Sequence, residues 1–126
     1  MFQILVVEDD KDLNRTVCAF LNNSGYKATG CLSAGEAYDA MYETVFDLIV
    51  SDIMMPEMRG DELCQTLKGS METSHIPVIL LTALGDKESI LHGLSIKADS
   101  YVVKPFDMDI LKANIASVLA NKEFLR

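Results

Sequence analysis

Apolar residues along this chain fall into short unbroken runs, separated by stretches in which they recur every three or four positions. Unbroken runs read as buried strands and the recurring ones as helices with one inward face. Phe2 to Val7 is the first run, and after the acidic stretch Glu8, Asp9, Asp10 comes a helical pattern with Leu13, Val17, Phe20 and Leu21 on one face. Asn22 to Gly25 ends it. Tyr26 to Cys31 is a more polar strand, and Ser33 followed by Glu36 predicts a capping box for a helix holding Ala37, Ala40 and Met41, with Tyr38 and Tyr42 on it as well. Leu48, Ile49 and Val50 then form a run without polar alternation, as in a strand covered on both faces, and it stops at Asp52. Pro56 and Gly60 break the pattern, so Met54 to Arg59 reads as a loop before a helix from Asp61 to Lys68 with Leu63, Cys64 and Leu67 inward. Gly69 to His75 is a polar connector.

The second half repeats the alternation. Ile76 to Leu81 is a strand entered through Pro77 and closed by Thr82, and a helix from about Asp86 to Leu94 follows with Ile90, Leu91 and Leu94 at helical spacing. Ser100 to Val103 is a short strand ending in Lys104-Pro105, and the last helix runs from Asp107 to about Asn121 with Leu111, Ile115, Val118 and Leu119 buried. Five strands alternating with five helices predict an α/β fold. Its form is a doubly wound, five-stranded parallel sheet, flavodoxin-like (βα)5, with strand order 2-1-3-4-5 and right-handed crossovers.

Composition narrows the function. At 126 residues and 49% hydrophobic content, one domain spanning 1–126 is expected, and neither repeat nor linker interrupts it. The net charge of -8 comes without any Lys/Arg cluster, which disfavours direct contact with nucleic acid. The longest apolar runs, Ile4 to Val7 and Val78 to Leu81, are far below membrane-spanning length, and the start lacks a signal-like basic region and cleavage site. A cytoplasmic domain without membrane contact is expected. Cys18, Cys31 and Cys64 are odd in number and widely spaced, so they read as buried or half-buried free thiols.

Four of the five predicted strands end in a chemically loaded residue: Asp9, Asp52, Thr82 and Lys104. Only the second, ending near Cys31, contributes nothing, and in the order 2-1-3-4-5 it is the edge strand outside the switch point where ligands bind. Glu8, Asp9 and Asp52 would crowd three carboxylates together, which is unfavourable unless a cation joins them. Oxygen-only ligands in an exposed site point to Mg2+.

These stretches resemble the receiver domains of bacterial two-component signalling over essentially the whole chain. ILVVEDD is similar to the acidic end of that family's first strand, LIVSDIMMP to its phosphoacceptor stretch, VILLTA to its hydroxyl-bearing fourth strand and YVVKPF to its Lys-Pro turn. SHIPVILLTA resembles in particular the receiver segments of membrane hybrid sensor kinases, which implies a segment of a longer chain. The resemblance implies that Asp52 takes a phosphoryl group from the phosphohistidine of a histidine kinase or phosphotransfer domain. It makes Asp9 and Asp52 direct Mg2+ ligands, Glu8 a ligand through water and the Met54 carbonyl a further ligand. Thr82 would hydrogen-bond one phosphoryl oxygen and Lys104 neutralise another. Pro105 would follow a cis bond, and Tyr101 would be a switch aromatic that turns inward as Thr82 moves.

Such a domain catalyses its own phosphorylation and dephosphorylation without being a conventional turnover enzyme. Its output would be a changed surface on the fourth helix, fifth strand and fifth helix, where Lys87 and Tyr101 lie. That surface would act on an output domain in the same or another chain, with transcription as the expected target. A homodimer is compatible with the family, but Asn114 stands where many DNA-binding members carry an Arg, against the dimer of that branch. The resemblance also implies that Met54 and Leu84 would flank the path of the water that hydrolyses the phosphoryl group.

Each residue has an ordinary rival reading. Glu8, Asp9 and Asp10 could cap the first helix, which is the reading adopted for Asp10; Thr82 could be a helix-entry hydroxyl, Lys104 a solvated charge and Tyr101 strand packing. His75 and His92 fall at no loaded strand end and read as surface residues. Three other functions compete. An interaction module that never carries phosphate has no need of the crowded carboxylates, and a haloacid dehalogenase-type phosphatase wants a second Asp where Met54 stands. A flavodoxin-like FMN carrier is excluded, because the acidic run after the first strand would repel phosphate.

Overall fold

The structure is a computed structural model and describes residues 1–83 and 98–124. The helix expected over 86–94, and with it Leu84, Lys87 and His92, lies outside the described residues. In chain order the elements are β1 (Gln3–Val7), α1 (Lys11–Asn23), β2 (Lys27–Cys31), α2 (Ala34–Glu43) and β3 (Leu48–Asp52). They continue with α3 (Gly60–Lys68), β4 (Val78–Ala83), β5 (Ser100–Lys104) and α4 (Met108–Phe124). All neighbouring strands pair in parallel in the order β2-β1-β3-β4-β5, the order expected. It is a flavodoxin-like α/β fold.

The unbroken apolar runs are explained by a core on each face of the sheet. Leu5, Val7, Ile49, Val78 and Leu80 point to one side, where Ala37 of α2 and Leu63, Cys64 and Leu67 of α3 cover them. Ile4, Val6, Leu48, Val50, Ile79 and Leu81 point to the other, against Val17 and Leu21 of α1 and Leu111, Ile115 and Leu119 of α4. Every residue of β3 is buried, which fixes its register, since a slip by one position would exchange the two faces. Each fully buried Leu, Ile or Val contributes about 1.5–3 kcal/mol of transfer free energy.

Local signals set the boundaries. Asp10 is the N-cap of α1, its Oδ1 accepting from the amides of Asp12 (3.0 Å) and Leu13 (3.1 Å). Ser33 Oγ accepts from Glu36 N at 3.2 Å, while the Glu36 carboxylate reaches back to Leu32 N at 3.2 Å, one residue before the N-cap amide of the expected capping box. Gly25, at φ 95, turns the chain out of α1 in a conformation that other residues adopt only with strain.

Some expectations shift. β4 begins at Val78 and runs through Thr82 to Ala83, because Pro77 has no amide to donate while β5 supplies partners for Thr82 and Ala83. Thr82 therefore sits inside the ladder. On α1 the buried stripe is Asn14, Val17 and Leu21, with the expected Leu13 and Phe20 half-buried at its margin. The three cysteines are free, Cys31 and Cys64 buried and Cys18 partly so. Among the described residues no helix is long and apolar enough to cross a membrane.

Candidate functional site

The carboxyl ends of β1, β3, β4 and β5 form one corner of the molecule. Glu8 and Asp9 follow β1, Asp52 ends β3, and one carboxylate oxygen from each lies within 4.8 Å of the other two. Glu8 is 1% exposed and Asp52 7%, whereas Asp9 is open to solvent. Lys104, the last residue of β5, extends its Nζ to 2.7 Å from Glu8 Oε1 and 3.1 Å from Asp52 Oδ2. The solvated reading of Lys104 is thereby excluded. Three carboxylates without a countercharge would repel, and here one ammonium spans two of them.

The electrostatics follow from burial. Desolvation pushes the Glu8 carboxyl up to about 7, with the Asp52 charge adding to it, against the opposing hydrogen bonds from Lys104 and the Asp10 amide. Lys104 is desolvated too, which pulls its ammonium down, yet its bond to Glu8 and the charge of Asp52 outweigh that and hold it above the ordinary lysine value.

The backbone around Asp52 is held tightly. Ile53 N donates to Leu81 O at 3.1 Å, and Ser51 Oγ donates to Asp52 O at 3.0 Å. Gly60 N donates to Ile53 O at 2.8 Å, and a Cβ on Gly60 would collide with the Asp52 carbonyl. The head of α3 can approach β3 this closely only because Gly60 has no side chain. Between them the loop passes through Glu57 at φ 69, a left-handed residue next to Pro56.

Thr82 follows Leu81, the register partner of Asp52, and is 1% exposed. Among the described residues its hydroxyl has no hydrogen-bond partner, an unusual state for a buried polar group and one that leaves it free for a ligand. Met54 lies in the loop after β3 with an exposed side chain whose Sδ is 3.6 Å from Arg59 Nη1. The Lys104-Pro105 bond is cis. Tyr101 pairs in register with Leu80, short of the acidic corner; its ring packs on the α2/α3 side of the core and its buried hydroxyl has no hydrogen-bond partner among the described residues. His75 is exposed on the connector before β4 and takes no part.

Three features escape a reading by sequence pattern. β2 does contribute to the site: the Cys31 carbonyl accepts from Glu8 N at 2.9 Å and from Asn14 Nδ2 at 2.9 Å. Asn14 itself, a polar residue at helical spacing from Val17 and Leu21, was the available signal. The third is Asp61, fully buried at the head of α3 and gripped by Arg59 through Nε at 3.0 Å and Nη2 at 3.2 Å. A fork of this kind shows only in three dimensions.

A profile of the response regulator receiver domain matches residues 4–116. The chain belongs to that family. Among its relatives, the regulatory protein VanRB of Enterococcus faecalis is 38% identical over 117 residues, covering 93% of this chain and 52% of that protein. The phosphate regulon transcriptional regulatory protein PhoB of Rhizobium meliloti is 37% identical over 117 residues, with the same two shares, 93% and 52%. The receiver thus spans about half the length of the curated relatives it matches.

Among solved structures, the signal receiver domain of a signal transduction histidine kinase from Syntrophus aciditrophicus superposes with a TM-score of 0.90 at 35% identity, covering 96% of this chain and 92% of that one. NtrX from Brucella abortus shares the fold at a TM-score of 0.91 and 24% identity, with the receiver fold occupying 28% of that longer chain. Receiver domains are often linked to output domains in this way, and the acidic pocket of Glu8, Asp9 and Asp52 is consistent with a phosphoacceptor site that could bind a metal ion.

Proposed function

We propose that this receiver accepts a phosphoryl group on Asp52 from a phosphohistidine of a histidine kinase or phosphotransfer domain, and so regulates an output, transcription in particular. The observation that carries the reading is the Lys104 ammonium drawn across 96 residues of sequence into a pocket of three carboxylates. That pocket also fits Mg2+: the donors are all oxygen, they converge within 4.8 Å, and one lysine does not balance them. Asp9 and Asp52 would hold the ion directly, Glu8 through water, and the Met54 carbonyl would complete the protein's share. When bound, Mg2+ supplies positive charge against the carboxylates and the incoming phosphoryl oxygens.

The chain's own residues do the rest. An Asp52 carboxylate oxygen bonds to phosphorus as the bond from phosphorus to the partner's imidazole nitrogen breaks, and the tight backbone of Ile53 and Gly60 keeps that oxygen in place. Lys104 exchanges a carboxylate contact for a phosphoryl oxygen, and the Thr82 hydroxyl donates to another. Thr82 moving toward the phosphoryl group opens room for Tyr101, whose hydroxyl has no partner among the described residues to leave behind. The face bearing β5 and α4 then changes and is read by an output domain in the same or another chain. The reading takes 1–126 as one receiver domain, working in the cytoplasm where ATP-dependent kinases load their histidines.

A phosphate-free interaction module is the second reading, and the Thr82 hydroxyl, without a partner among the described residues, speaks against it, because such a module would not need that donor left unpaired and buried at this corner. Titration with beryllofluoride and Mg2+, followed by amide shifts in NMR, tests the proposal. Large shifts at Asp52, Thr82 and Tyr101 are expected. Spectra that stay unchanged at saturating reagent would overturn it.

A further inference from the structure

Asn14 sits on the buried stripe of α1, 6% exposed, and the phosphoryl chemistry gives it no role. Its Nδ2 donates both hydrogens, one to the Glu8 carbonyl at 3.0 Å and one to the Cys31 carbonyl at 2.9 Å. Its Oδ1 accepts from Cys18 Sγ at 3.5 Å, and its own backbone amide donates to Asp10 O at 2.9 Å. These bonds lie where the β1–β2 ladder ends, at the register pair Val7 and Cys31. One amide group therefore joins the ends of two strands to the first turn of a helix.

The Glu8 carbonyl belongs to the peptide that links Glu8 to Asp9. A peptide unit is planar, so fixing its oxygen fixes the direction in which the chain leaves toward Asp9. Asp9 is exposed and lies beyond the last rung of the ladder, so its carboxylate reaches Asp52 only if that plane is set correctly. Glu8 is anchored three times more: its amide donates to Cys31 O, its Oε2 accepts from Asp10 N at 3.1 Å and its Oε1 accepts from Lys104 Nζ at 2.7 Å. We propose that Asn14 is a positioning residue for the acidic pair, setting the plane of the Glu8-Asp9 peptide and with it the pocket's affinity for a divalent cation. This rests on the reading of Glu8, Asp9 and Asp52 as the Mg2+ site.

Gly30 supplies an independent handle. A Cβ built there would collide with the Asn14 amide oxygen and approach its Cγ and Cys18 Sγ to 3.1 Å each. Gly30 lies in β2, one residue before Cys31, and the atoms nearest to a Cβ there belong to Asn14 and Cys18, so a methyl group at this position presses first on the Asn14 amide and not on a metal ligand. The two positions should then act through one mechanism.

The test is Mg2+ titration of the parent, Asn14→Ala, Gly30→Ala and the double variant. Amide shifts around Asp52 are the readout, taken well below each melting temperature, with separate melts in metal-free buffer. Asn14→Ala should bind Mg2+ about tenfold more weakly, the low end of what groups that orient metal ligands are worth. Gly30→Ala should weaken binding severalfold alone and add nothing in the Asn14→Ala background, because the amide it displaces has gone. Should Asn14→Ala fail to fold, Gly30→Ala against the parent decides. A folded Asn14→Ala or Gly30→Ala with parental Mg2+ affinity and only a lower melting temperature would show a purely structural role and overturn this inference alone. A parent that takes up no Mg2+ would overturn the metal-site reading and this inference with it.

Discussion

Burial and charge are opposed at Glu8, and pH can expose the conflict. Its carboxyl is held at about 7 in the fold against 4.5 ordinarily, mainly by desolvation. A raised folded pKa means that the contribution to stability is complete below 4.5 and is lost as pH rises through about 7. In metal-free buffer the parent's melting temperature should therefore gain, relative to Glu8→Gln, as pH falls across that window. Parallel profiles for the two proteins would show that Glu8 titrates normally. Asp9→Ala should be at least as stable as the parent without metal, since one repulsive charge is gone, yet lose most of its stabilisation by Mg2+. Thermal melts with and without the ion read both effects, and full Mg2+ stabilisation retained in the variant would remove Asp9 from the ligand set. At this scale the acidic residues and the Asp10 cap were legible because short polar side chains after an apolar run have few uses. Asn14 is not: periodicity counts apolar positions, so it assigns Leu13 to the buried stripe and gives no weight to the amide beside it.

Elements were legible where burial on both faces left no polar residue inside a run, as in β1 and β3. Boundaries were less so. The end of β4 depends on β5 reaching far enough to pair with Thr82 and Ala83, and that is a property of two strands distant in sequence. Gly60 shows the same limit: as a sequence signal it is a breaker, while in the fold it is the point where α3 meets the end of β3. Gly60→Ala should cost about 1–3 kcal/mol, as overpacking does, and shift the amides of Asp52 and Ile53. Ser33→Ala should cost about 1 kcal/mol through the lost cap of α2 and leave Mg2+ binding untouched, since α2 contributes no residue to the acidic corner. Denaturant melts of the two variants, set beside Mg2+ titrations, separate packing at the site from packing elsewhere.

For the whole molecule, the strand order does what no local pattern can, carrying Glu8, Asp52, Thr82 and Lys104 to adjacent strand ends. That placement was readable once the alternation of strands and helices was recognised, because few topologies satisfy it. The direct grip of Lys104 on Glu8 was not readable, as it depends on side-chain reach past the two intervening strands, β4 and β3. The lifetime of the switched state also belongs to this scale. Met54 and Leu84 offer water no orienting hydrogen bond, so the double variant Met54→Asn/Leu84→Glu should lose its phosphoryl group roughly ten- to a hundredfold faster, about 1.4 to 2.7 kcal/mol in barrier. Decay after removal of the donor measures it, and an unchanged or slower rate would acquit both side chains.

Under the proposed function, everything at the acidic corner depends on Asp52 carrying the phosphoryl group. The most direct measurement is to incubate the protein with acetyl phosphate and Mg2+, follow the intact mass, and reduce the product with borohydride, which converts an acyl phosphate of Asp to homoserine. The protein should gain one phosphoryl group and give homoserine at position 52, and Asp52→Asn should do neither. A gain of mass in Asp52→Asn, or homoserine at another acidic position in the parent, would contradict it.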